Sequence, residues 1–255
     1  MELLSGKNAL ILGVANERSI AWAIAKKLKE NGANISLSYQ GEALKKRVEP
    51  LAQDIGADFT FELDVTNQDH ILNLKKTIEQ HWKSVDVIIH SLAFANKEDL
   101  AQPFIQTSKK GFMKAIEISA FSLVEISNTL KSLLNENSSI ITMTYHGSTQ
   151  VIPGYNVMGV AKATLEASMK YLAYDLGKSK VKVNAISAGP IRTLAASGIS
   201  GFREKLNFAK QKSALKENVT TEDVAKTALY LASDLSSGVT GEVIYVDAGL
   251  SIVGS

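Results

Sequence analysis

A tyrosine and a lysine that are seven residues apart could do chemistry together. Tyr155 and Lys162 are separated by about two helical turns, so both side chains can face one side of a helix. An ammonium group beside a phenol lowers the cost of the phenolate, and it can also bind ribose hydroxyls. A surface lysine near a half-buried tyrosine is the plainer interpretation of such a pair taken alone. The pair therefore indicates catalysis only if the rest of the chain builds a cofactor site beside it.

The segment after the first apolar run could hold a phosphate. Gly13 follows the run Ala9–Leu12, and Ser19 stands directly before a stretch with helical apolar spacing that begins at Ile20. Dinucleotide folds use this place to direct backbone N–H groups and a helix N-terminus at a pyrophosphate. Ser19 could cap the helix and donate its hydroxyl to a phosphate oxygen. The segment has one glycine instead of the three in the usual fingerprint, so an ordinary strand-to-helix turn remains the alternative.

Polar residues at the ends of the next two strands could bind an adenosine. Gln40 follows the run Ile35–Tyr39, near the position where a carboxylate selects NAD and a basic residue selects NADP. Because Gln40 offers no charge to a 2′-phosphate, NADH is predicted over NADPH, although the basic residues 45–47 could reach such a phosphate. Asp64 and Val65 close the third strand, where a carboxylate can accept from the adenine amino group. A turn or cap residue is the alternative for Asp64.

Short apolar runs, separated by longer segments with helical spacing, must position these residues. Continuous apolar strands imply burial on both faces of a parallel sheet. Their alternation with helices predicts an α/β fold, a Rossmann-like doubly wound seven-stranded parallel sheet flanked by helices. With 4 prolines and no linker-like composition, residues 1–255 are expected to form a single domain, with a substrate-binding loop near 189–215. The predicted strands are Ala9–Leu12, Ile35–Tyr39, Phe59–Leu63, Val85–His90, Ile140–Thr144, Val181–Ile186 and Val243–Val246.

Composition and charge exclude several classes of function. The chain has 28 Lys and Arg against 26 Asp and Glu, a net charge of +2, which does not favour nucleic acid as a partner. It has 0 cysteines, which excludes disulfides, thiolate catalysis and cysteine-ligated metals, and its histidines lack metal-ligand spacing, so no metal is expected. No apolar run approaches the ~18 residues of a membrane helix, and the start lacks a secretory pattern. A cytoplasmic protein without a membrane partner is expected.

Motifs along nearly the whole chain resemble the short-chain dehydrogenase/reductase superfamily, and more closely its branch of bacterial NAD-dependent enoyl-[acyl-carrier-protein] reductases. The wider superfamily has a tyrosine four residues before the lysine and a serine thirteen residues before that tyrosine. Here those positions hold Met158 and Tyr145. The spacing Tyr-x-x-Met-x-x-x-Lys is similar to that of the enoyl reductases, although His146 replaces an expected leucine. The motifs are Gly13 to Ser19-Ile20-Ala21, Ser91-x-Ala93-Phe94-Ala95, Tyr145-x-Gly147, Tyr155-Asn-Val-Met158-Gly-x-Ala-Lys162, Ser187-Ala-Gly-Pro190-Ile-Arg192-Thr193-Leu194 and Ser237–Glu242.

The resemblance implies a mechanism in which NADH delivers hydride to Cβ of a trans-2-enoyl thioester in type II fatty-acid synthesis. The implied catalytic residues are Tyr145, Tyr155 and Lys162: Tyr155 donates to the enolate oxygen, Lys162 holds the nicotinamide ribose and Tyr145 lines the acyl pocket. Ala95 and Met158 join the two tyrosines in the implied substrate site. The implied cofactor site consists of Gly13, Ser19, Ile20, Gln40, Asp64, Val65, Leu92, Lys162, Ile191, Arg192, Thr193, Leu194 and Ala195.

The resemblance also implies an acyl carrier protein as partner and a homotetramer. Basic residues past the irregular stretch could meet an acidic carrier, but a solvated helix face is the alternative because Glu204 interrupts them. Two rival functions remain. A short-chain reductase acting on a carbonyl is disfavoured by Met158, and a catalytically silent dinucleotide sensor should lack Tyr155 or Lys162. The basic residues are Arg203, Lys205, Lys210 and Lys212.

Overall fold

The computed structural model describes residues 2–194 and 202–254. Strands and helices alternate along these residues. The strands are β1 (Asn8–Leu12), β2 (Asn34–Tyr39), β3 (Phe59–Glu62), β4 (Val85–His90), β5 (Leu134–Thr144), β6 (Lys182–Ala188) and β7 (Val243–Val246). The helices are α1 (Ile20–Lys29), α2 (Gly41–Asp54), α3 (Gln68–Glu79), α4 (Lys97–Ala101), α5 (Lys109–Ile116), α6 (Ser122–Leu130), α7 (Val157–Gly177), α8 (Phe202–Lys212) and α9 (Thr221–Ala232).

The strands form one seven-stranded sheet in the order β3-β2-β1-β4-β5-β6-β7. Every pair of neighbouring strands is parallel. The predicted doubly wound parallel sheet is therefore confirmed. The strand order reverses between β1 and β4, and ligands of such sheets bind in the crevice at that reversal, beyond the carboxyl ends of the strands.

The apolar residues of the central strands divide between two hydrophobic cores. On β1, Ile11 packs in the core on one face of the sheet with α1, α2 and α9. Its neighbour Leu10 packs in the core on the other face with α3, α6 and α7. Because successive side chains of a strand point to opposite faces, a strand covered on both sides is mostly apolar along its length. This explains why the strands are continuous apolar runs in the sequence.

A glycine allows the ends of β1 and β4 to approach each other closely. Gly13 has φ +101°, and a Cβ built at this position would lie 2.2 Å from the carbonyl oxygen of Ser91. Any side chain here would therefore collide with backbone, and the conformation itself favours glycine. The close approach brings the segment after β1 beside the segment after β4, at the reversal of strand order.

Two predicted boundaries are wrong by more than two residues. The stretch 189–215 is not a loop throughout, because α8 occupies Phe202–Lys212. Among the described side chains of α8 only Ala209 is fully buried, so the helix has almost no apolar periodicity. β5 begins at Leu134, six residues before the predicted start, because residues 135–139 are polar and the apolar run begins only at Ile140. Within the described parts of the chain, no helix has the length and apolarity to cross a membrane.

Candidate active site

A cleft of about 700 Å³ lies at the carboxyl edge of the sheet. Its walls come from the segments after β1 to β6 and from α4, α5, α7 and α8. With two exceptions, every residue predicted for catalysis, cofactor or substrate lines this cleft. Arg192 is exposed and is not among the lining residues, although its neighbours Ile191 and Thr193 are. Ala195 lies outside the described residues.

The segment after β1 is folded by the hydroxyl of Ser19. Ser19 stands at the N-terminal boundary of α1, but its side chain makes no capping bond to that helix. Instead its Oγ accepts hydrogen bonds from the backbone N–H groups of Ala15 at 3.0 Å and Asn16 at 3.1 Å. The predicted cap is therefore wrong, and Ser19 lines the cleft. The bonds shape the turn that presents the start of α1, where N–H groups attract an anion.

The ends of β2 and β3 are joined by polar contacts at the cleft. Burial alone raises the pKa of Asp64, but hydrogen bonds from Gln40 and Thr66 outweigh it and hold that pKa below its usual value. Asp64 is thus a carboxylate that can accept from a bound group. Lys45 is paired with Glu42 at 3.4 Å. None of the basic residues 45–47 lines the cleft.

Lys162 is a buried ammonium group at the floor of the cleft. It is 5% exposed, and its Nζ donates to the carbonyl oxygen of Met143 at 2.7 Å. Burial lowers the pKa of Lys162 to about 8, and the carboxylate of Glu166 acts in the opposite direction. A protonated lysine has three N–H donors, so two remain for a ligand after the bond to Met143.

Tyr155 lies beside Tyr145, and not inside a helix. α7 begins at Val157, so Tyr155 occupies the preceding turn. The two tyrosine rings meet edge to face, with centroids 5.0 Å apart. Burial raises the pKa of Tyr155 well above its usual value, as do the nearby Tyr145 and Glu166. The phenol therefore stays protonated and can donate a hydrogen bond.

The turn that holds Tyr155 requires unusual backbone. Asn156 has φ +41°, and its side-chain Nδ2 donates to the carbonyl oxygens of Leu100 at 3.0 Å and Gln102 at 2.8 Å. A Cβ at Gly147 would lie 2.5 Å from the ring of Tyr155, so glycine is needed there for close packing. These contacts fix the phenol relative to α7, whose next turn carries Lys162.

A buried serine that the sequence analysis missed supports the substrate side of the cleft. α5 and α6 are joined by a π-helical segment, Glu117–Phe121, an irregularity often found at functional sites. Within it, the Oγ of Ser119 accepts from the backbone N–H of Phe94 at 3.0 Å and lies 3.9 Å from Sδ of Met158. Both partners line the cleft. A lone serine in a helical segment gives no sequence signal for this role.

A carboxylate one turn beyond Lys162 was also missed. Glu166 accepts a hydrogen bond from Oγ1 of Thr144 at 2.5 Å, and Thr144 lines the cleft directly before Tyr145. The sequence feature that could have identified Glu166 is its spacing of four residues from Lys162 on a predicted helix, which places both side chains on one face.

The histidines lie outside the lining of the cleft. His146 packs edge to face against Tyr245, with ring centroids 5.8 Å apart. His90 is buried beneath the site between the hydroxyls of Thr142 at 3.0 Å and Ser122 at 2.8 Å. Burial, with the charge of Lys162 adding to it, lowers the pKa of His90 to about 3, so this imidazole is neutral.

Comparisons with known proteins agree on one family. The model of a family described as enoyl-(acyl carrier protein) reductase matches residues 13–251. The enoyl-[acyl-carrier-protein] reductase [NADH] FabI of Rickettsia typhi is 52% identical over 253 residues, which is 99% of this chain and 97% of the relative.

Solved structures of that name have the same fold. The enoyl-[acyl-carrier-protein] reductase (NADH) of Aquifex aeolicus has a TM-score of 0.96 and 45% identity, covering 99% of both chains. The corresponding reductase of Anaplasma phagocytophilum, solved in complex with NAD, has a TM-score of 0.95 and 46% identity, covering 99% of this chain and 97% of the other. From its sequence, its cleft and these likenesses, the chain belongs to the enoyl-(acyl carrier protein) reductase family.

Proposed function

We propose that this protein is an NADH-dependent enoyl-[acyl-carrier-protein] reductase, which reduces the trans-2 double bond of enoyl thioesters in type II fatty-acid biosynthesis. The observation that supports this best is the arrangement of Tyr155 and Lys162. A protonated phenol and a buried ammonium group face one cleft, at the reversal of strand order where a dinucleotide binds. Met158 occupies the position that holds a tyrosine in carbonyl-reducing relatives of the superfamily, which favours reduction of a double bond over that of a carbonyl.

The residues present fit a dinucleotide. The turn after β1 offers backbone N–H groups and the start of α1 to a pyrophosphate, and Gly13 lets this turn lie close to the segment after β4. Gln40, Asp64 and Val65 would hold the adenosine half, while Leu92, Ile191, Thr193 and Leu194 would hold the nicotinamide half. When bound, NADH supplies the hydride that is transferred to Cβ.

The choice of NADH over NADPH follows from the charge near Gln40. A 2′-phosphate would find a neutral amide that is already bonded to Asp64, and the basic residues 45–47 do not line the cleft. We expect kcat/KM to be larger with NADH than with NADPH. A larger value with NADPH would contradict this preference.

The side chains of this protein act on the thioester and the ribose. Tyr155 donates its O–H to the thioester oxygen and stabilises the negative charge that develops there. Because burial keeps this phenol protonated, it acts as a hydrogen-bond donor and not as a phenolate. Lys162, held by Met143, directs its remaining protons at the ribose hydroxyls. Tyr145, Ala95 and Met158 line the acyl pocket.

We place the reaction in the cytoplasm, with the substrate delivered by an acyl carrier protein and the enzyme assembled as a homotetramer. The names of the relatives support the carrier-bound substrate. Analytical ultracentrifugation tests the tetramer: a purified protein that sediments as a monomer at micromolar concentration would contradict it.

The decisive experiment mixes the protein with NADH and a crotonyl thioester and follows the nicotinamide absorbance. An enoyl reductase consumes NADH with this substrate. A carbonyl reductase would instead consume NADH with a 3-ketoacyl thioester, and a dinucleotide sensor would bind NADH without turnover of either compound.

A further inference from the structure

The cleft has more cationic than anionic side chains. Among the described residues that line it, Lys97, Lys114, Lys162 and Lys205 are cationic, and Asp64 is the only carboxylate. The whole chain has a net charge of only +2, so the excess is local. Under the proposed function Lys162 binds the ribose. The other three lysines have no role there.

These three lysines come from separate helices around the start of α7. Lys97 is the first residue of α4, Lys114 lies on α5 and Lys205 lies on α8. α4 and α5 both pack against α7. The Nζ of Lys205 donates to the carbonyl oxygen of Pro153 at 2.6 Å, two residues before Tyr155. Lys205 therefore lies beside the turn that holds Tyr155, and Lys97 and Lys114 line the same cleft from helices that pack against α7.

Two of the lysines are held in place without a counter-ion. Lys114 is half-buried, and its Nζ lies 4.8 Å from the ring centroid of Phe94, itself a lining residue. Lys205 is also half-buried, and burial lowers its pKa. Over the described ranges, neither these two nor Lys97 forms a salt bridge. Partly buried cations without an anionic partner, lining one cleft, favour an anionic ligand.

We propose that Lys97, Lys114 and Lys205 bind the phosphate ester at the end of the pantetheine arm of the substrate. The proposal rests on the proposed function, because the arm of a thioester bound at Tyr155 would run through the cleft that these side chains line. Thioesters of acyl carrier proteins and of coenzyme A share a phosphate at the far end of this arm. Lysine ammonium groups bind phosphate as point charges with several donors.

The test uses two substrates that differ only in the phosphate, crotonyl-pantetheine and crotonyl-4′-phosphopantetheine. In the double variant Lys114→Gln/Lys205→Gln we expect KM to rise about fivefold for the phosphorylated thioester and to stay unchanged for the other. Lys97→Gln should have a smaller effect because Lys97 is exposed. Lys110→Gln is the control, since Lys110 is exposed on α5 and does not line the cleft. High salt should raise KM for the phosphorylated thioester only, because salt screens the attraction between lysine and phosphate.

Three outcomes would overturn the proposal. These are an equal rise of KM with both thioesters, no rise with either, and a rise only with a crotonyl-acyl carrier protein. The last result would mean that the lysines contact the carrier surface and not the phosphate. Crotonyl-coenzyme A should behave like the phosphorylated thioester.

A binding measurement separates this proposal from the proposed function. The butyl thioethers of pantetheine and 4′-phosphopantetheine cannot react, so calorimetry reports their affinity without turnover. Loss of the phosphate preference in the double variant supports the phosphate site even if wild-type protein reduces no enoyl thioester. Equal affinity of wild-type protein for the two thioethers would refute the site even if the enzyme is active.

Discussion

At the scale of single residues, the site depends on how Lys162 keeps its charge inside the protein. Burial destabilises the ammonium form, and the carboxylate of Glu166, one turn further along α7, partly restores it. His90 and Tyr155 lie close by, but both are neutral for the same reason, burial. These opposing effects leave Lys162 charged at neutral pH, and it loses its charge as the pH rises through about 8.

The pH dependence of cofactor use should reveal this balance. Because the pKa of Lys162 is lowered to about 8, kcat/KM for NADH should fall as the pH rises through about 8. Replacing Glu166→Gln removes the charge that raises this pKa, so the basic limb should move to lower pH. Steady-state rates at a series of pH values check the shift.

The control is Thr144→Val, which removes the hydrogen bond to Glu166 but keeps its carboxylate. This variant should retain the position of the basic limb. If Glu166→Gln left the limb unmoved or displaced it to higher pH, the assigned electrostatic role of Glu166 would be wrong.

The two tyrosines should differ in their effect on turnover. Tyr155→Phe removes the donor to the developing oxyanion, so kcat should fall by about 10²–10³ with a modest change in KM. Tyr145→Phe should affect mainly KM for the acyl substrate. The main effect of Lys162→Ala should be a higher KM and Kd for NADH.

Steady-state constants for both substrates and a direct NADH titration of each variant check these roles. Normal NADH affinity in Lys162→Ala would contradict them. So would wild-type kcat in Tyr155→Phe together with loss of activity in Tyr145→Phe.

At the scale of elements, a buried lysine fastens the end of α9 to the sheet. Lys182 on β6 is 7% exposed, and its Nζ donates to the carbonyl oxygens of Leu231 and Ser233, both at 3.0 Å, and to Oγ of Ser236 at 2.7 Å. The last carbonyl groups of a helix lack intrahelical partners, and a cation there also interacts well with the helix dipole. Lys182 thus contributes to stability, at a distance from the cleft.

Replacing Lys182→Met should destabilise the fold without changing the chemistry. The methionine fills a similar volume but leaves buried carbonyl oxygens with fewer donors, at a cost of about 1–3 kcal/mol. Thermal unfolding should show a lower Tm, with KM values unchanged. Lys178→Met, at an exposed residue after α7, is the control and should leave Tm unchanged. A Tm equal to wild type in Lys182→Met would contradict the fastening role.

At the scale of the whole molecule, the two sets of basic residues near the cleft have different surroundings. Lys205 is half-buried and turned to the cleft, whereas Arg203, Lys210 and Lys212 are exposed on the same helix, α8. The exposed residues are free to meet a large partner. The sequence alone placed all four in one group.

We therefore expect the exposed residues of α8 to guide the carrier protein. Changing Arg203, Lys210 and Lys212 to Glu should raise KM for a carrier-bound substrate and spare crotonyl-coenzyme A, because charge steering acts on encounter and weakens with salt. Lys26→Glu on α1 is the control for a change of net charge. Equal losses with both substrates would instead indicate a structural role for these residues.

Much of the fold could be predicted because its pattern is local. β4 and β7 have the predicted bounds, because each is a largely apolar run that is followed by a polar residue. The positions of Gly13, Gln40, Asp64 and Tyr155 in one cleft also followed from the sequence. Each stands within two residues of the end of a strand or the start of a helix, and the carboxyl ends of parallel strands meet at one edge of a sheet.

Only the tertiary structure decided which side chains support that cleft. Ser119 reaches Phe94 and Met158, and Lys205 reaches Pro153, across 25 to 52 positions of the chain. The sequence contains no periodicity that relates such distant residues. α8 escaped prediction because a helix with so few buried side chains has no apolar stripe to detect. Contacts of this kind depend on how helices pack around the sheet, and they determine which of the described lysines line the cleft without an anionic partner.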